Sequence, residues 1–235
     1  MASFSDPPGW LLDELTTAGR ENLDADHVSR YDQKEDADAA DEVALLTSLG
    51  IDHRSTVVDI GAGTGQFSVA AARVFDRVIA VDVSEVMLRA LRAKAAALAN
   101  LTVVHAGFLT YDHAGLPADV IYSRYALHHL PDFWKSVALH RLHSILCPGG
   151  ILRLWDVVYN FMPADAKARV EAWCATGSDA VGTGWNRGEL EEHIRDEHST
   201  FTWLLEPMID RSGFTITEAV YSDDAFFAKY VLTKS

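Results

Sequence analysis

Between Thr56 and Val69 the sequence reads TVVDIGAGTGQFSV, a stretch that leaves the backbone few choices. An apolar run, Val57-Val58-Asp59-Ile60, feeds three glycines at alternating positions, Gly61, Gly63 and Gly65, and a helix-like run from Gln66 to Phe75 follows. The pattern predicts a strand, a tight turn and a helix start. Glycine suits such a turn because positive φ, or a ligand lying against the main chain, excludes a Cβ atom. The first turn of the helix would then offer backbone N–H groups and their partial positive charge to something polar. A second apolar run, Arg77-Val78-Ile79-Ala80-Val81, ends in Asp82. In a βαβ nucleotide site, that is where an acid accepts hydrogen bonds from ribose hydroxyls.

The dinucleotide fingerprint wants its third glycine at the position held here by Gln66, whereas this chain puts it at Gly65. Asp59-Ile60-Gly61-Ala62-Gly63-Thr64-Gly65, followed by Asp82, closely resembles the first two motifs of class I S-adenosylmethionine (SAM)-dependent methyltransferases, small-molecule enzymes with a domain of the type 11 or 25 kind. The resemblance implies that the turn Gly61, Ala62, Gly63 and Gly65 holds the methionine end of SAM, that Asp59 sits near its amino group and that Asp82 binds both ribose hydroxyls. It also implies that Val83 packs on the adenine. Met87 would lie near the mouth of the site, or equally in the core. Where the family usually carries Gly-Asp after its third strand, this chain has Ala106-Gly107 and then Phe108, so backbone around Gly107 and the Phe108 ring are left to meet the adenine. Ser123-Arg124-Tyr125-Ala126-Leu127-His128-His129-Leu130 resembles the family's segment after strand four, which would put Ser123 and Arg124 near the methionine part of SAM.

The remaining elements fall around this core. Leu101 to Ala106, Ala118 to Tyr122 and Gly150 to Trp155 read as strands, the last bringing Asp156 to its carboxyl end. Ser84 caps an alanine-rich helix, and a second helix runs from Pro131-Asp132 to the Pro148-Gly149-Gly150 stop. Phe214 to Tyr221 and Phe226 to Leu232 are joined by only four residues, which permits an antiparallel hairpin and no parallel crossover. The expected fold is α/β: a Rossmann-like, seven-stranded, mostly parallel sheet with an antiparallel C-terminal strand, helices on both faces and an N-terminal helical lid. Its segments are the lid (1–50), a SAM-binding core (51–160), a helical insertion capping the substrate (161–202), and a C-terminal helix with the closing hairpin (203–235).

Charge narrows the function. The formal net charge is -14, and the first fifty residues hold 12 acids against Arg20, Arg30 and Lys34. Nucleic-acid surfaces need clustered Lys and Arg, so neither DNA nor RNA is the expected partner. Two cysteines, Cys147 and Cys174, form no disulfide framework and no metal-type pair. With no secretory leader and no run of eighteen apolar residues, the reading is a cytoplasmic protein without membrane partners.

Methyl transfer from a sulfonium requires alignment of the acceptor with the methyl group and exclusion of water; no nucleophilic side chain is needed. A proton-bearing acceptor benefits from a general base, and His128 and His129 are the candidates, although neighbours on a helix cannot both face inward. Tyr31, in the link between the two N-terminal helices, is a third candidate for the transfer pocket. His140 and His143 share a helix face, but no carboxylate or cysteine set stands at ligand spacing, and no metal site is expected. The expected activity is transfer of a methyl group from SAM to an oxygen, nitrogen or carbon atom of a small-molecule acceptor. A nicotinamide-dependent dehydrogenase and a SAM-binding protein without methyl transfer are the alternatives.

Overall fold

A computed structural model describes residues 8–18, 38–177 and 185–235; Tyr31 and most of the glycine-rich loop before Trp185 lie outside them. Four parallel strands form the centre: β1 (Thr56–Ile60), β2 (Arg77–Asp82), β3 (Leu101–His105) and β4 (Ala118–Arg124). A longer strand, β5 (Leu146–Tyr159), pairs parallel to β4. The sheet order is β3-β2-β1-β4-β5-β8-β7, in which β8 (Phe227–Lys234) runs antiparallel to both β5 and β7 (Phe214–Tyr221). This is the seven-stranded arrangement expected from the sequence. A two-residue strand, β6 (Thr200–Phe201), pairs with the far end of β5 and was not foreseen, since two residues carry no periodicity.

Strand side chains alternate between the sheet's two faces, and this sorts the core. Val58, Ile60, Ile79, Val81, Ile121 and Leu152 belong to one buried cluster; Val57, Val78, Ala80, Val120 and Tyr122 belong to the other. Helices α4 (Asp132–Ile145) and α7 (Thr202–Arg211) cover the first face through Leu139, Leu142, Leu205 and Ile209. The second face is covered by α1 (Ala39–Ser48), α2 (Gln66–Ala71) and α3 (Glu85–Ala95), through Val43, Leu46, Phe67, Leu88 and Leu91. Both faces of the centre are therefore dry, which is why its strands read as nearly unbroken apolar runs.

The sequence predicts two N-terminal helices, and the described residues differ at the first. There a single 3-10 turn, Glu14–Thr17, is capped by Asp13, and Trp10 stacks on Trp134 at 6.3 Å. The second, α1, packs into the core. Beyond β5, α5 (Ala166–Cys174) and α6 (Arg187–Asp196) form a separate cap around Phe161, Trp173, Leu190 and Phe226, with the Trp173 and Phe226 rings stacked at 4.5 Å. Among the described residues no helix is long and apolar enough to cross a membrane.

One buried ion pair ties α1 to the sheet. Arg153, 4% exposed on β5, meets Glu42 in a two-pronged contact, Nε to Oε2 at 2.7 Å and a terminal nitrogen to Oε1 at 2.9 Å. Removing one partner leaves an uncompensated buried charge, whereas replacing both with apolar groups does not. Glu42→Ala is therefore expected to lower unfolding free energy in urea by about 3–5 kcal/mol. The double change Glu42→Leu with Arg153→Met is expected to recover most of that loss.

Candidate functional site

The site begins at the turn after β1. Gly61, Gly63 and Gly65 all have positive φ, at 75°, 53° and 81°. A Cβ at Gly61 would overlap Ala126, and one at Gly65 would overlap the Leu91 side chain. Gly65 thus serves the packing of α3, while Gly61 and Gly63 line open space. The backbone donors of this turn are largely spent inside it. Gly61 and Ala62 donate to the Val81 carbonyl at 2.9 and 3.0 Å, and Gly65 donates to Ala62 at 2.8 Å. Helix α2 is only six residues long, shorter than expected. The turn accordingly offers close approach to the main chain more than a nest of N–H groups.

Asp82 ends β2 and holds the neighbouring loop. Its Oδ2 accepts from the Gly63 amide and its Oδ1 from the Ser84 amide, each at 2.7 Å. Burial raises its pKa, and these amide bonds and His105 oppose the rise. Asp59, 2% exposed, accepts from the Ser68 hydroxyl. Burial, opposed by Ser68 and reinforced by the charge of Asp82, pushes Asp59 up to about 7.

Two adjoining clefts open at the carboxyl ends of these strands, where α/β sheets bind ligands. The larger, about 600 Å³ with its open mouth, is lined by Asp82, Val83, Gly107, Phe108, His129 and Leu130 among others. The smaller, about 430 Å³, is lined by Asp59, Ala62, Thr64 and Tyr122. Gly61, Gly63, Arg124 and Tyr125 border both, so the clefts form one trough. Most of the residues expected from the sequence gather here. Gly65, Met87 and Ser123 do not line it: Met87 is 1% exposed inside the α3 packing, and Ser123 is fully buried within β4. A strand or helix near a site inevitably turns some side chains away from it.

Glu14 and Tyr125 are among the lining residues that escaped the sequence reading. Glu14 reaches in from the N-terminal turn, where its Oε2 accepts from the Leu109 amide at 3.0 Å. A Cβ at residue 107 would overlap its carboxylate, so Gly107 makes the room for it. Burial raises the Glu14 pKa against the pull of the Leu109 and Phe108 amides. The acid missing after β3 is thus present in space, supplied from 95 residues away, a separation no local motif reports. Tyr125, at φ 50°, holds a backbone conformation uncommon for an aromatic residue. Its ring sits 4.7 Å from the Arg124 guanidinium, which also lies 4.1 Å from the Trp155 ring, fixing Arg124 between two aromatic faces.

The rings of the adjacent histidines stand 4.3 Å apart, with His129 lining the cleft and His128 behind it. His128 Nδ1 lies 2.5 Å from Asp156 and its Nε2 lies 2.9 Å from Glu197, so both ring nitrogens face carboxylates. Burial lowers the His128 pKa, but Asp156 and Glu197 together push it up to about 10. Asp156, expected at the cleft, stands behind His128 at 2% exposure. Burial and the charge of His128 push His129 down to about 3. Helix α6 adds His193, whose Nδ1 lies 2.6 Å from Glu197. Burial raises the Glu197 carboxyl, yet His128 and His193 hold it well below the usual range. The sequence reading expected no metal site, but His128, His193 and Glu197 bring one ligand-type atom each within 4.8 Å of one another. The signal was there as the four-residue spacing of His193 and Glu197; their partner, His128, lies 65 residues before His193. His143 instead packs its ring edge on Phe214 at 5.3 Å, away from this cluster.

Residues 57–150 match the family model described as a methyltransferase domain. An uncharacterised methyltransferase of Mycobacterium tuberculosis is 34% identical over 165 residues, 65% of this chain and 82% of that protein. Another, from Oceanobacillus iheyensis, is 27% identical over 116 residues, 49% of this chain; this chain spans 53% of that relative's length. Among solved structures, magnesium protoporphyrin IX methyltransferase from Synechocystis, with bound SAM, superposes with a TM-score of 0.65 at 15% identity, over 97% of this chain and all of that one. At that identity the likeness is one of fold.

Asp59 links the site to stability. Its folded pKa of about 7 exceeds the ordinary value, so the folded chain keeps a proton that the unfolded chain releases above about pH 4. The stabilisation is therefore complete at low pH and lost as pH rises through 7. Asp59→Asn keeps an acceptor for Ser68 and removes this loss. Relative to the unaltered protein without ligand, the variant is expected to be more stable at pH 8 than at pH 5, on the order of 3 kcal/mol at full ionisation. Denaturant unfolding at the two pH values checks it.

Proposed function

We propose that this chain, which belongs to the class I SAM-dependent methyltransferases, methylates an oxygen, nitrogen or carbon atom of a small-molecule acceptor. The observation that carries the reading is the trough itself: two buried carboxylates, Asp59 and Asp82, flank a glycine-rich turn at the strand ends. Asp59 would meet the α-ammonium group of SAM, which also relieves the mutual repulsion of Asp59 and Asp82. The second lone pairs of Asp82, left over from the Gly63 and Ser84 amides, would accept the ribose hydroxyls. Val83 and Phe108 would flank the adenine, and Glu14 would accept its exocyclic amino group in place of the absent acid after β3.

The donor carries its own activation, so the protein's contribution is alignment in a site closed to water. Holding two reactants in line accounts for as much as about 7–11 kcal/mol of a barrier. The acceptor would lie on the side of the trough bordered by Tyr125, His129 and Leu130. His128 has both nitrogens turned to carboxylates, which leaves His129 as the imidazole that contacts the acceptor. A small molecule is favoured over a nucleic acid by the net charge of -14.

Three measurements test this reading. Incubated with methyl-labelled SAM and a fractionated cell extract, the protein is expected to label the low-molecular-weight fraction; label confined to protein or RNA would refute the acceptor class. Glu14→Ala is expected to weaken S-adenosylhomocysteine binding by about 10- to 100-fold in calorimetry, the cost of losing a charged hydrogen-bond acceptor. His129→Ala, which removes a neutral imidazole that orients the acceptor, is expected to leave that affinity unchanged while kcat/KM for the identified acceptor falls by about 100-fold.

A further inference from the structure

The cluster behind His129 is built from parts that are far apart in the chain and each is held from behind. His128 comes from the turn after β4, and His193 and Glu197 stand one turn apart at the end of α6. Asp156 engages His128 Nδ1 and so aims Nε2 toward Glu197. The other His193 nitrogen, Nε2, lies 2.9 Å from the Ser199 hydroxyl, which leaves Nδ1 pointing into the cluster. The main chain adds a tie, since the His198 amide donates to the His128 carbonyl at 3.1 Å.

Glu197 Oε2 is the anomaly. It is buried and lies within 2.9 Å of one imidazole nitrogen and 2.6 Å of another, yet no aligned hydrogen bond reaches it among the described residues. Three ligand-type atoms, one each from His128, His193 and Glu197, lie within 4.8 Å of one another around this buried oxygen.

We infer that His128 Nε2, His193 Nδ1 and the Glu197 carboxylate form a binding site for a divalent first-row transition ion at the edge of the acceptor cleft. Two imidazoles and one carboxylate suit zinc, iron or manganese, whereas magnesium and calcium prefer oxygen-only shells. Asp156 behind His128 is the carboxylate-histidine arrangement that fixes a ligand's tautomer and raises its basicity. With metal–ligand distances of about 2.0–2.2 Å, tetrahedral donors stand roughly 3.3 Å apart, so the cluster needs to open by only about half an ångström. Three protein ligands leave a coordination position open. His129, whose Nδ1 lies 3.9 Å from Glu197 Oε2, lines the cleft beside the cluster, so the ion would adjoin the acceptor side. Its role in transfer, lowering the proton affinity of an acceptor heteroatom, rests on the proposed function; its binding does not.

Untagged full-length protein, stripped with a chelator and dialysed, is titrated with Co²⁺ and Zn²⁺. One equivalent per chain is expected, with a Co²⁺ ligand-field spectrum of mixed nitrogen and oxygen coordination. His193→Ala and Glu197→Gln are expected to abolish that spectrum. Asp156→Asn is expected to weaken affinity by about 10- to 100-fold. S-adenosylhomocysteine affinity, measured on the same samples, is expected to stay unchanged in the variants and shows that they have folded. Glu197→Gln preserves size and decides the matter should His193→Ala fail that control. No uptake by the unaltered protein overturns the inference, as does equal uptake by the unaltered protein and Glu197→Gln. Failure of S-adenosylhomocysteine to bind the unaltered protein would instead strike the methyltransferase reading, whatever the metal result.

Discussion

The site depends on one carboxylate shared between two loops. Asp82 accepts from the Gly63 amide on the turn after β1 and from the Ser84 amide at the cap of α3. Because β1 and β2 are neighbours paired residue for residue, these bonds lock the two strand ends into one rim. The positive φ of Gly63 is what lets its amide turn toward Asp82, and an L-residue with a Cβ would resist that conformation. The glycines, the acid and the parallel register are one device whose parts make little sense separately.

That device places negative charge in a dry setting. Asp59 and Asp82 are each less than a tenth exposed and repel one another, so the unliganded site is electrostatically uncomfortable. A ligand carrying a cationic amine and sugar hydroxyls relieves both burdens. In the proposed roles of these two acids, the arrangement would select for the donor through a cost that the empty fold bears. Arg124, which borders both clefts, lies over the Tyr125 and Trp155 rings.

What the sequence disclosed follows from how local each feature is. The turn after β1 and Asp82 are each written within a few residues and the terminal hairpin in one continuous run, so local rules and the family resemblance suffice to read them. The family resemblance places Gly65 and Ser123 at the methionine end, and the sequence puts Met87 at the mouth or in the core; in the structure Gly65 packs against Leu91, Met87 lies within α3 and Ser123 within β4. Glu14 was invisible because its partners at Leu109 and Thr110 lie at the other end of the sheet's chain order. The gap after β3 was legible as a gap; that a distant carboxylate fills it required the fold.

The same logic explains why the histidine cluster couples the cap to the core. On α6, Leu190 anchors the helix in the aromatic cluster with Trp173 and Phe226, while His193 and Glu197 extend the same face toward His128. Positions 190, 193, 194 and 197 recur at helical spacing, so one stripe is apolar at its start and ligand-bearing at its end. Hydrophobic packing can place the cap only approximately, because apolar contact is non-directional. Directional contacts at His128 are what can set the distance between cap and cleft within the fraction of an ångström that in-line transfer demands. Selection of the acceptor and alignment of the reaction would then be governed through the same three side chains, at the point where α6 touches the strands and turns of the core.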